Sequence, residues 1–206
     1  MMKRLLPIFI LSGILALGLW YLSQETPETP SPKPLITLHQ ATVLTPSQSI
    51  GPFSLIDANE KPFTEESLKG QWTLLFFGYA TCPAICPATL GIISTTWKNL
   101  PTLPLHFVFV SLDAETDTPA VLKSFLNRFN PNFIGLTGDE AVIETLSKTC
   151  GIYYWEDTAA KSSIKQIDHS ATLLLFNPAG KLHALFTPPH QPEALAKDLI
   201  TLISSP

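Results

Sequence analysis

Two unbroken apolar runs restrict this chain more than any other feature. WTLLFFGYA, Trp72 to Ala80, and LHFVFVSLD, Leu105 to Asp113, carry hydrophobic side chains at successive rather than alternate positions. Residues of a strand point alternately to its two faces, so a run of this kind must be covered on both. Each therefore predicts a buried central strand. Between them a helix is expected from about Pro87, because Leu90, Ile93 and Trp97 share one face at helical spacing. After the second strand, DTPAVLKSFLNRF has Thr118 as N-cap and Pro119 at the first helical position. TGDEAVIETLSKTCG predicts another helix, with a capping box from Thr137 to Glu140 and Gly151 as its stop. ATLLLFNPAGKLHALF reads as two strands joined at Asn177-Pro178-Ala179-Gly180, and QPEALAKDLITLI as a closing helix with Pro192 near its start. Upstream, PFSLID and KPFTEE form a short hairpin around Asp57-Ala58-Asn59-Glu60. The fold class is α/β, a central mixed sheet with helices on both faces.

The N-terminus has a different character. Lys3 and Arg4 precede an apolar run from Leu5 to Leu22, which as a helix reaches about 27 Å, near the hydrocarbon thickness of a bilayer. No Ala-x-Ala-like cleavage site follows it, and Trp20 and Tyr21 suit an aromatic belt. Residues 1–22 are therefore read as a membrane anchor. The basic residues stay inside and Glu25 and Glu28 follow outside, so the body faces the non-cytoplasmic side. Residues 23–48 are read as a spacer, proline-rich over SQETPETPSPKP, and the folded domain as 49–206, beginning near Ser49. WEDTAAKSSIKQ, 155–166, reads as an exposed polar loop.

Charge narrows the range of partners. The formal net charge is -4, and only two arginines occur, Arg4 and Arg128. A nucleic-acid surface needs clustered cations, so nucleic acid is excluded as a partner. A non-cytoplasmic compartment permits disulfides, but three cysteines cannot all pair within the chain.

Two of them, Cys82 and Cys86, sit in GYATCPAICPATL, just after the first buried strand. Sites in open α/β sheets gather at the carboxyl ends of strands. A helix starting near Pro87 favours thiolates at its N-terminus, and positions i and i+4 face the same side. The pair is open to four readings: a structural disulfide, a redox switch, an attacking thiol with its resolving partner, or two arms of a site for a soft metal such as Cu(I) or zinc. A metal held by two thiolates needs a third donor. Of the five histidines, His39 is read as solvated, His106 as an edge or satisfied strand residue, His183 as facing solvent and His190 as a loop residue. His169 follows Asp168 at the mouth of the strand SATLLLF, where it could reach the 82–86 loop; spacing alone leaves it open between ligand and structural residue. Cys150 lies on the apolar face of its helix with Val142 and Leu146 and is read as a buried inert thiol. Asp117 is placed beside a helix start, and Asp113 and Asp117 are both candidate surface acids.

FFGYATCPAICPATL resembles the signature of the Sco/SenC family of copper-binding proteins in cytochrome c oxidase assembly. VSLDAETDTPAVLKSF, GLTGDEAVI and IDHSATLLLFNPAGKL resemble that family's later segments in the same order, over about residues 50–186. The resemblance implies a thioredoxin-like domain on an N-terminal membrane span, with its domain on the periplasmic side of the inner membrane. It implies copper as the bound metal, with Cys82, Cys86 and His169 as ligands. Cu(II) would need a further donor, from Asp168 or a water, although Asp168 is read first as shaping the loop or supporting the ligands. The implied partners are cytochrome c oxidase subunit II and other copper carriers. The implied role is a metallochaperone for the dinuclear copper centre, with a thiol-disulfide oxidoreductase acting on the receiving cysteines as the alternative. Thioredoxin-type enzymes place two residues between their cysteines and a proline beside the site, whereas this chain places three and has no proline over 156–177. A peroxidase of the peroxiredoxin kind is disfavoured, because Tyr79 stands where that chemistry needs threonine.

Overall fold

The computed structural model describes residues 37–100, 102–156 and 167–204. The expected anchor, the spacer up to residue 36 and most of the polar loop at 155–166 lie outside the described residues. Among the described residues no helix is long and apolar enough to cross a membrane.

The strands are β1 (Ala41–Gln48), β2 (Ser54–Asp57), β3 (Pro62–Thr64), β4 (Trp72–Gly78), β5 (Leu105–Ser111), β6 (Ile134–Thr137), β7 (Tyr154–Glu156), β8 (Ile167–His169), β9 (Leu173–Phe176) and β10 (Leu182–Phe186). The helices are α1 (Ile85–Asn99), α2 (Pro119–Asn127), α3 (Glu140–Thr149) and α4 (Pro192–Ser204). Eight strands form one mixed sheet in the order β1-β10-β9-β4-β5-β6-β2-β3. The two apolar runs are its centre: β4 and β5 pair in parallel from Trp72↔Leu105 to Gly78↔Ser111. Leu74 to Phe77 and Phe107 to Val110 are all buried, so both faces of the central strands are covered. On one face Phe107 meets Trp97 of α1 edge-on, and Phe109 meets Phe125 of α2. α1 in turn packs against α4, where Thr96 Oγ1 donates to the Pro192 carbonyl.

Three features depart from the sequence expectation. β1 lies in the stretch assigned to the spacer, and it pairs antiparallel with β10 from Ala41↔Phe186, so the sheet starts before Ser49. Its half-exposed pattern and Pro46 mark an edge strand, which lacks the apolar alternation that would reveal it. β6 was not expected at all. It is four residues long and runs parallel to β5, completing a second strand-helix-strand unit. Thr137 is therefore a buried strand residue and not a helix cap; Asp139 caps α3, accepting the Ala141 N–H at 2.8 Å and the Val142 N–H at 3.2 Å. Gly151 does stop the helix, with φ of 74°. Finally, β7 and β8 form a separate two-stranded ribbon that carries His169.

Candidate metal centre

The site is built on the carboxyl end of β4. Gly78 is its last residue, and a Cβ there would lie 2.8 Å from Cys86 Sγ and 2.9 Å from Phe109 Cε2. Glycine is what lets the sulfur seat directly over the strand end. The chain then turns, with the Cys82 N–H donating to the Tyr79 carbonyl at 3.3 Å. Asp117 fixes the base of this turn. Its Oδ2 accepts the Ala80 N–H at 2.9 Å and the Ser111 hydroxyl at 2.5 Å, tying the ends of β4 and β5 together. The other oxygen, Oδ1, is buried without a hydrogen-bond partner, and burial raises the pKa of this carboxyl.

α1 begins at Ile85, so Cys86 stands in its first turn. Its N-cap position is Ala84, which has no capping side chain. Cys82 Sγ takes that place and accepts the Cys86 N–H at 3.3 Å. The sulfur thus sits at the positive end of the helix, where negative charge is favoured. The Cys82 thiol is pushed down to about 3, chiefly because the Cys86 side chain hydrogen-bonds to its sulfur; His169 and the Cys86 and Ala84 backbone N–H groups add to this against the cost of burial. Cys86 is pushed upward by the same shared hydrogen bond and by burial. The pair therefore favours the thiolate at Cys82, whose sulfur accepts the Cys86 N–H, and the proton at Cys86.

His169 ends β8. Its Nδ1 donates to the Ser170 carbonyl at 3.0 Å, and its Nε2 faces the thiols, 3.3 Å from Cys86 Sγ. The imidazole is walled by Phe76 and Tyr79, each with its ring centre 5.9 Å away. The donor atoms of Cys82, Cys86 and His169 all lie within 4.8 Å of one another, and among the described residues they are the group so placed. Two sulfurs and one imidazole nitrogen form a soft, three-donor set. That chemistry fits Cu(I), and fits hard cations such as Mg2+ or Ca2+ poorly.

The other sequence candidates stand elsewhere. Asp168 is exposed and precedes His169 in the strand, so its side chain points to the opposite face. Asp113 and Asp117 are buried, 1% and 0% exposed, and are not surface acids. Cys150 is buried at the end of α3, and burial pushes its thiol up to about 12, as an inert core thiol requires. The three cysteines are not bonded to one another. His106 is exposed. His183 is half-buried rather than solvated, with Trp72 edge-on at 5.4 Å and Ser47 Oγ at 3.0 Å from its Nδ1. His39 is not free either: its Nδ1 meets Asp198 at 3.0 Å. His190 is buried, with Nε2 2.6 Å from the Ala171 carbonyl. Sequence reasoning did not assign roles at the site to Gly78, Tyr79, Asp117 or His190. Gly78 and Tyr79 lie inside the cysteine motif, where adjacency was a signal; nothing in sequence places Asp117 or His190 beside it.

Residues 42–204 match the family model described as SCO1/SenC. An SCO2-like protein of Rickettsia felis is 34% identical over 180 residues, covering 84% of this chain and 85% of that protein. Among solved structures, Bradyrhizobium japonicum ScoI with copper bound is 36% identical with a TM-score of 0.64, covering 72% of this chain and 96% of that one. Arabidopsis thaliana ScoI with copper bound is 32% identical with a TM-score of 0.68, covering 73% and 94%. With the match running from β1 to the last residue of α4 and through the Cys82, Cys86 and His169 segments, the chain belongs to the SCO1/SenC family.

Proposed function

We propose that this protein is a copper metallochaperone that binds Cu(I) through Cys82 Sγ, Cys86 Sγ and His169 Nε2 and assists assembly of the dinuclear copper centre of cytochrome c oxidase subunit II. The observation that carries the reading is the convergence of the three donor atoms within 4.8 Å. Copper in the ScoI relatives supports the choice of metal. The client follows from the family resemblance alone. The N-terminal segment would tether the domain through residues 5–22, with the domain on the periplasmic side of the inner membrane.

The residues divide the work. Cys82 favours the thiolate and offers the first sulfur. Cys86 must lose its proton on loading, so binding releases a proton and weakens as pH falls. His169 supplies Nε2, with its Nδ1 held by the Ser170 carbonyl. A second reading, thiol-disulfide exchange on the receiving cysteines, is favoured by the asymmetry of the pair. A thiolate at Cys82 and a protonated partner at Cys86 suit an attacking and a resolving thiol.

The two readings separate at His169. Thiol exchange has no chemical need for a distant imidazole, while a three-donor site does. The purified, reduced full chain should take up a single Cu(I), with X-ray absorption reporting two sulfur neighbours and one nitrogen. Competition against a chelator should show His169→Ala weakening Cu(I) markedly, more than the same change at His106 or His183. The Cys82–Cys86 pair should still oxidise and reduce. Copper binding by His169→Ala equal to the parent's, or by Cys82→Ser equal to the parent's, would overturn the three-donor site and leave thiol exchange as the function.

A further inference from the structure

The placement of His169 presents a mechanical problem. It lies on β8, whose only ladder partner among the described residues is β7, and both belong to the ribbon rather than to the main sheet. Isolated two-stranded ribbons are marginal in water. The segment rejoins the main sheet only at Leu173. Yet the site needs its imidazole nitrogen fixed to a few tenths of an ångström against sulfurs carried by the β4–α1 turn.

Two buried side chains from the main body reach this segment, on either side of His169. Tyr79 is 2% exposed, and its Oη accepts the Ile167 N–H at 3.2 Å. Its carbonyl also accepts the Cys82 N–H, and its ring stands edge-on to the imidazole. One residue thus touches the cysteine loop, the strand before His169 and the His169 ring itself. On the far side, His190 is 9% exposed, and its Nε2 lies 2.6 Å from the Ala171 carbonyl. A carbonyl only accepts, so Nε2 carries the proton and donates. The remaining nitrogen, Nδ1, is buried without a partner, which leaves His190 no second bond to satisfy elsewhere. It comes from the loop that leads into α4, an element packed on α1.

The geometry points to Tyr79 and His190 as positioning residues, a two-point clamp that grips the His169 segment at Ile167 and Ala171 and holds Nε2 at bonding distance from the thiols. The inference deepens the copper reading and rests on it for its metal-affinity consequence. Neither residue touches the metal in this assignment. Both act through His169, so their loss should cost more metal affinity while that imidazole is present than when it is absent. The thiol chemistry of Cys82 and Cys86 should be indifferent to His190, whereas the Tyr79 hydroxyl also hydrogen-bonds to the Cys82 side chain and bears on that thiol directly.

A double-mutant cycle on the full chain tests this. Tyr79→Phe keeps the ring and removes the acceptor oxygen. It should weaken Cu(I), measured by chelator competition, by about 10- to 100-fold, as for other groups that orient a metal ligand. In the His169→Ala background the same change should cost several-fold less, leaving only the share of its hydrogen bond to Cys82. His190→Leu should behave likewise, with His190→Gln, which retains an N–H donor, recovering part of the loss; the Gln variant and Tyr79→Phe also serve if His190→Leu does not fold. An equal loss with and without His169 would show that these residues act through the fold or the thiols, and overturns the clamp. The copper-free protein supplies an independent readout. Amide hydrogen exchange at Ile167 should accelerate in Tyr79→Phe relative to the parent, and unchanged exchange there also overturns the clamp. A parent chain that takes up no Cu(I) would instead sink the copper reading, and the exchange result would still decide whether the clamp exists.

Discussion

Gly78 shows how little space the site leaves. Any side chain at this position would have to displace either the Cys86 sulfur or the Phe109 ring, because its Cβ would approach both closer than 3.0 Å. The Phe109 ring packs against Phe76 and Phe125, so it has little room to yield. The sulfur would move instead. Gly78→Ala should therefore cost about 1–3 kcal/mol of stability, as overpacking does, together with a loss of Cu(I) affinity. Denaturant unfolding and chelator competition measure the two effects. Affinity equal to the parent's at full stability would show that the pocket is looser than this contact implies. At the same scale, the cysteines differ in state because of position. Cys82 sits at the helix N-terminus and accepts hydrogen bonds; Cys86 is fully buried and donates. Residue type alone made them equivalent.

β1 has no fully buried residue and is held by a specific polar anchor. Asp198 of α4 is 0% exposed. It receives the His39 N–H at 2.9 Å, the Gln40 N–H at 2.7 Å, the Ala41 N–H at 2.9 Å and His39 Nδ1 at 3.0 Å. Burial works to raise the pKa of this carboxyl, but the backbone N–H groups and the His39 ring outweigh it and hold the pKa below the usual carboxylate value. A folded-state pKa below the unfolded one stabilises the fold at every pH above the unfolded value. That contribution is lost as pH falls through the folded value. Lowering the pH below the ordinary aspartate range should therefore loosen β1 first. Asp198→Ala should remove the pH dependence and cost about 1–3 kcal/mol, because three backbone donors lose their acceptor. Hydrogen exchange at Ala41 to Val43, followed from neutral to acid pH in parent and variant, reads both. Protection in β1 that is indifferent to Asp198→Ala would show that the β10 pairing alone holds the strand.

For the whole molecule, metal and fold are linked. A ligand that binds only the folded chain stabilises it by mass action, by about 2.7 kcal/mol when free Cu(I) is about a hundred times Kd. For a domain of this size that corresponds to a rise in Tm of roughly 5–10 °C. Cys150 lies in the core outside the proposed metal site, so Cys150→Ser should lower stability by about 1–3 kcal/mol through a poorly partnered buried hydroxyl. Because the site is separate, the copper-induced rise in Tm should be the same in Cys150→Ser as in the parent. Scanning calorimetry with and without Cu(I) checks this. A variant that melts like the parent when copper-free but gains nothing from Cu(I) would place Cys150 in the site.

Strong local patterns settled much of this protein in advance. Continuous apolar runs can be satisfied only by burial on both faces, which made β4 and β5 legible as the centre of the sheet. Thr118-Pro119 and Gly151 fixed helix ends because capping and positive φ are local requirements. The 82–86 spacing announced a thiol site at a strand end, and the family segments pointed to His169. What stayed hidden was whatever depends on pairing rather than pattern. β1 and β6 are too short or too exposed to carry a periodic signal, and they exist because β10 and β5 offer open edges. Thr137 looks like a cap in sequence but is taken by β6, which passes the role to Asp139. His39 and His190 read as solvent and loop residues because their partners, Asp198 and Ala171, lie 159 and 19 residues away. The family segments implied the three donors, but their meeting rests on the tertiary structure: Cys86 and His169 are 83 residues apart, and the packing of the ribbon onto the β4–α1 turn brings the imidazole to 3.3 Å from the sulfur.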